Sequence, residues 1–122
     1  KPENNYAALH LTSHHFDEPN CLSLLSACET VVAIHGCTGT EECVLLGGLD
    51  KSMKIQISDA LHAEGIRVDI SNHLFQATDP NNICNKGRSR KGVQVELTRA
   101  LRDSENKARV AIAVRSVLLT AK

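Results

Sequence analysis

His35 and Glu96 are the side chains of this 122-residue chain whose setting most invites chemistry. His35 closes the apolar, β-branched run Thr30 to His35 (TVVAIH) and precedes Gly36, so its imidazole is expected at a strand end beside a flexible loop. That placement suits a metal ligand or a general base, and a packed core histidine is the plainer alternative. Glu96 sits in Gly92 to Thr98 (GVQVELT), where alternation places Val93 and Val95 on one face and Gln94 and Glu96 on the other. A carboxylate inside such a strand needs a partner or a purpose unless its face meets solvent. The purpose would be general-base work, near a metal the deprotonation of its bound water.

Three further groupings carry weaker signals. His14-His15-Phe16-Asp17-Glu18-Pro19 concentrates imidazoles and carboxylates at a turn, where Asp17 and Glu18 also suit the cap of a following helix. The polar stretch from Ser71 to Lys91 holds Asn82, Asn85, Lys86, Arg88, Arg90 and Lys91, a set able to grip an anionic substrate or simply to be a solvated loop. Cys37, two residues after His35, raises the option of a thiol hydrolase, although such closeness in sequence does not favour it. Five cysteines leave at least one unpaired; Cys37 and Cys43 bracket a loop they could close, no CxxC zinc pairs occur, and reduced, mostly buried thiols are expected.

These residues need elements to place them. Ala7 to Ser13 (AALHLTS) alternates like a half-buried strand, and Pro19 to Glu29 reads as a helix with Leu22, Leu25 and Cys28 along one side. The run ending at His35 reads as a buried strand, parallel to the first. Gly36 to Gly48 reads as a glycine-rich, site-forming loop. Asp50 caps a helix to about Glu64 with Gly65 as its stop, and Ile66 to Ile70 is a strand. After the strand that carries Glu96, Arg99 to Lys122 reads as one long helix with Val110, Val114, Val117 and Leu118 on its apolar stripe. The order implies one domain over residues 1–122, a layered α/β/α fold with a mixed, largely parallel sheet.

Composition narrows the function. Lys plus Arg equals Asp plus Glu at 14 each, so the chain lacks the charge excess of a nucleic-acid or anionic-membrane binder. Tyr6, Phe16 and Phe75 are too few for base-stacking platforms, and charges interrupt every apolar run that would approach a membrane span. Neither nucleic acid nor membrane is expected as a partner.

Five strings occur together in one order: Leu9 to Pro19 (LHLTSHHFDEP), Val32 to Gly36 (VAIHG), Leu46 to Leu49 (LGGL), Thr78 to Asn85 (TDPNNICN) and Lys91 to Leu97 (KGVQVEL). Together they resemble the poly-γ-glutamate hydrolase family, phage and bacterial zinc peptidases similar in fold to zinc carboxypeptidases. The resemblance covers the chain to about Arg102. It implies a zinc enzyme that hydrolyses γ-amide bonds between glutamates, with His35 as a metal ligand and Glu96 as the general base. His15, Asp17 and Glu18 match a supporting motif. Asn82, Asn85 and Lys91 match the loop expected near substrate, with Lys86 where the family tends to have arginine.

The family's other two zinc ligands, a histidine and a glutamate five residues later, are implied to lie upstream of Lys1. The chain is therefore expected to be the C-terminal portion of such a domain, lacking its N-terminal segment, with that upstream polypeptide as a possible partner. A binding module that holds the polyanionic γ-glutamyl chain without cutting it is the alternative. Cytoplasmic, secreted and phage-released settings all remain compatible.

Overall fold

The computed structural model describes residues 10–121. Four strands, β1 (Val32–Cys37), β2 (Val44–Gly47), β3 (Val68–Asp69) and β4 (Val93–Thr98), form one sheet in the order β1-β4-β2-β3. β1 runs parallel to β4 and β2 parallel to β3, while β2 and β4 are antiparallel. The helices are α1 (Pro19–Ser26), α2 (Lys51–Ala63), α3 (Arg99–Arg102) and α4 (Lys107–Thr120), with 3-10 turns at Ser13–His15 and Ile83–Asn85. The α/β class and the mixed, largely parallel sheet follow the sequence-based expectation.

The core lies on one face of the sheet. Val44, Leu46, Val93 and Val95 meet Met53, Ile57 and Leu61 of α2 and Val110, Ala113, Val114 and Val117 of α4. Spacing of three and four residues along each helix turns these side chains to one stripe. Asp50 starts α2 as the sequence predicts, its carboxylate accepting from the Met53 amide at 3.0 Å. Because successive strand residues point to opposite faces, Gln94 and Glu96 leave the core for the other side of β4.

Several expectations are corrected. Of the strand read over Ala7 to Ser13, residues 7–9 lie outside the described residues, and the remainder is irregular backbone leading into the Ser13–His15 turn. The helix read to Glu29 ends at Ser26. The strand of His35 runs on through Gly36 and Cys37, and among the described residues it lies at the edge of the sheet, with Ile34 58% exposed. The loop read over Gly36 to Gly48 contains β2, and the glycines at and just after its end, Gly47 and Gly48, serve close backbone approach. A side chain at Gly47 would collide with the Phe75 carbonyl, and Gly48, at φ +107°, lies against the Gly92 carbonyl. The strand over Ile66 to Ile70 shortens to two residues, and the long C-terminal helix breaks at residues 103–106. There Ser104 Oγ accepts from the Asn106 amide, a local bond that competes with helix continuation.

All five thiols are free, and only Cys43 and Cys84 are buried. No helix among the described residues is long and apolar enough to cross a membrane.

Candidate active site

Parallel pairing of β1 with β4 puts His35 directly opposite Glu96. Both side chains emerge on the face away from the core, with His35 Nδ1 at 3.9 Å from Glu96 Oε2. That separation exceeds a hydrogen bond, so the two groups face a shared space rather than closing on each other. The Glu96 side chain is 6% exposed and that of His35 31%, which makes one member fixed and the other reachable.

Electrostatics favour the neutral form of each. Burial pushes the Glu96 carboxyl above its ordinary value, against the opposing pull of the Arg102 guanidinium. Burial, and secondarily the nearness of His10, pushes His35 below 6.5. A carboxylate made more basic suits proton abstraction, and a histidine kept neutral has a lone pair to offer. Cys37 moves the wrong way for a nucleophile, its thiol pushed up first by burial and then by Glu96.

The pair opens into a cavity of about 510 Å³ whose wall includes Gln94, Asn82, His10, His14 and residues 74–79. Asn82 is tied at both ends of its amide: Oδ1 accepts from the Cys84 amide and Nδ2 donates to Gln94 Oε1. Asn85 is buried away from that wall. Its Oδ1 accepts from the amides of Leu49 and Gly92, and its Nδ2 donates to the carbonyls of Ala77 and Asp79, so one side chain staples three segments. Lys86 caps the 3-10 turn that contains Asn85. Lys91 lines a separate cavity with Glu29 and Asp50, five residues up the strand from Glu96, or roughly 16 Å at strand rise.

His15, Asp17 and Glu18 are exposed. Glu18 caps α1 by accepting from the Cys21 amide at 2.7 Å, and His14 rather than its neighbour His15 reaches the cavity.

One side chain at the site was not singled out from sequence. Arg102 lies across the ends of β1 and β4, its Nη1 donating to the carbonyls of Cys37 at 2.8 Å and Leu97 at 2.6 Å. Gly36 makes room for it, since a Cβ there would stand 2.6 Å from Nη1. The available signal is the arginine pair at i and i+3, Arg99 and Arg102, directly after the strand of Glu96, with a glycine beside His35.

Among the described residues no three His, Cys, Asp or Glu side chains converge as a metal site. A catalytic zinc commonly takes three protein donors, so the described residues do not by themselves fit that ion.

Comparison with known proteins is specific. The family described as poly-gamma-glutamate hydrolase matches residues 1–111. The UPF0714 protein YndL of Bacillus subtilis (strain 168) is 31% identical over 80% of this chain and 40% of its own length. The SPbeta prophage-derived UPF0714 protein YoqZ of the same organism is 32% identical over 74% of this chain and 34% of its own. A solved bacteriophage poly-gamma-glutamate hydrolase superposes with a TM-score of 0.86 at 31% identity, covering 91% of this chain and 62% of that one. Zinc-free YndL shares the fold, with a TM-score of 0.85 at 23% identity over 98% of this chain and 67% of that one. The chain thus spans about 40% of the length of YndL and under two thirds of the phage enzyme.

Proposed function

Since the chain belongs to the poly-gamma-glutamate hydrolase family, we propose that it carries the general base and one metal donor of a hydrolase acting on γ-glutamyl amide bonds. The observation that carries this reading is the in-register pair His35 and Glu96, set 3.9 Å apart at the mouth of a cavity on the non-core face. Glu96 takes a proton from the attacking water as its oxygen adds to the γ-carbonyl carbon. It then returns that proton to the amide nitrogen as the carbon–nitrogen bond breaks, leaving a carboxylic acid and an amine that ionise to a carboxylate and an ammonium. The basicity that burial confers on Glu96 serves the first transfer, and its fixed position serves both.

Zinc is proposed as the metal of the whole protein, on the strength of the family and of the YndL structure described as zinc-free. His35 supplies one donor, and further donors come from outside the described residues. Asn82, at the cavity wall, is the amide placed to orient substrate, while Asn85 acts by holding the loop. Lys86 and Lys91 are assigned to glutamyl units beyond that wall, and His15, Asp17 and Glu18 to support of the site's approach.

That the described residues hold no complete donor set favours a second reading, in which this chain binds poly-γ-glutamate without cutting it. Incubation with the polymer separates the two. The hydrolase shortens it and stops when a chelator is added; the binding module retains it at full length.

A further inference from the structure

Next to the cavity of His35 and Glu96 lies a second one, of about 630 Å³, lined by Gly36, Thr38, Thr40, Phe75, Arg99 and Arg102. Phe75 belongs to the walls of both. The two cavities follow consecutive residues along β1: His35, opposite Glu96 of β4, lines the first, and Gly36 and Cys37 line the second. One step along a strand is about 3.3 Å, so a ligand reaching the first cavity passes the second within one monomer unit.

The second cavity is equipped for a carboxylate. Arg102 uses Nη1 on two backbone carbonyls, which immobilises its guanidinium plane over Gly36. Among the described residues no acceptor meets its Nε or Nη2, and these two nitrogens form the edge of a guanidinium that grips a carboxylate with parallel N–H bonds. Arg99, on the same side of α3, adds a second positive charge; among the described residues only its Nε is engaged, by Asp103 at 3.0 Å. Among the described residues no acidic side chain lines the cavity.

We propose that this cavity is a carboxylate subsite, in which the Nε and Nη2 edge of Arg102 holds the free α-carboxylate of the glutamyl unit next to the one whose amide lies at His35 and Glu96. The inference rests on the hydrolase reading for its ligand, because a γ-linked chain keeps one free α-carboxylate on every unit. An anchored carboxylate on the neighbouring unit fixes which amide faces Glu96.

Binding to the full chain tests it without requiring turnover. A γ-linked glutamate trimer titrated into isotope-labelled protein is expected to shift the Arg102 Nε–H resonance and the amides of Gly36, Thr38 and Thr40. The same trimer with its α-carboxyls methylated is expected to bind about tenfold more weakly, as loss of a charge-assisted pair implies. Arg102→Lys keeps the charge but loses the fork, and a similar weakening is expected. Arg99→Gln, a surface change that spares folding, is expected to weaken binding about twofold to threefold.

Shifts confined to the Lys86 to Lys91 loop, or equal binding of acid and ester, overturn the inference. If Arg102→Lys fails to fold, the wild-type shifts and Arg99→Gln decide alone. Cleavage of the polymer together with indifference to the ester would sink the subsite and spare the hydrolase; absence of cleavage with intact Arg102 shifts would do the reverse.

Discussion

β4 and β1 are neighbours with six register pairs between them, yet they live in different surroundings. Every residue of β4 is buried, with a partner strand on each side. Among the described residues β1 has β4 on one side and none beyond it, and its residues are half-buried or exposed. The candidate site joins the two: Glu96 inherits the rigidity of the centre and His35 the access of the edge. A base gains from being fixed and desolvated, whereas a ligand or donor must be reached from outside. β4 is pinned near both ends by single side chains, Asn85 below through the Gly92 amide and Arg102 above through the Leu97 carbonyl, and Arg102 also holds the Cys37 carbonyl of β1.

The contrast can be broken at its firmest point first. Asn85→Ala removes four hydrogen bonds of one buried side chain at once and is expected to cost about 4 kcal/mol by denaturant unfolding, at roughly 1 kcal/mol for each bond. A loss under about 1 kcal/mol would mean that the loop and β4 are held by other means. Leu97→Ala in β4 should cost about 2–3 kcal/mol, while Ile34→Ala in β1 should cost well under half of that, because Ile34 is already largely in water. Equal costs would erase the distinction between centre and edge.

Gly36→Ala probes the upper pin. The added methyl meets the guanidinium of Arg102 and must displace it from its carbonyls, so a loss of about 1–2 kcal/mol is expected. The same change in an Arg102→Ala background should cost little, and a double-mutant cycle measures the difference.

The smallest effect is on pH dependence. Glu96 has a folded-state pKa raised above the unfolded value, so its favourable contribution is present in acid and is lost as pH rises from about 4.5 through the elevated value. His35 is shifted the other way: its contribution is present above 6.5 and is lost as pH falls through its lowered value. Glu96→Gln should therefore raise stability relative to wild type at neutral pH more than at pH 4. Parallel curves for the two proteins would show that Glu96 is not desolvated.

Much of this arrangement is legible in residue types, and the exceptions have physical causes. Asp50 with Met53, Ile57 and Leu61 specifies α2 by capping and spacing, both local signals. The alternation in GVQVELT places Glu96 on the face away from the core for the same reason. Sheet order is not local, so nothing in TVVAIH announces that its strand lies at an edge. Val44 to Gly47 was hidden because two glycines that permit close backbone approach look, in sequence, like a turn. Arg102 was hidden because an arginine after a strand looks like surface charge, and its two carbonyl partners are 5 and 65 residues away. The pairing of His35 with Glu96 came from resemblance to a family, not from spacing.

The most direct test of the central claim is the length distribution of poly-γ-glutamate after incubation with zinc-supplemented protein, wild type beside Glu96→Gln. The general-base role predicts shortening by wild type that a chelator stops, and a rate at least about 100-fold lower for the variant at a thermal stability no lower than wild type. Retention of more than about a tenth of the wild-type rate by Glu96→Gln would contradict it.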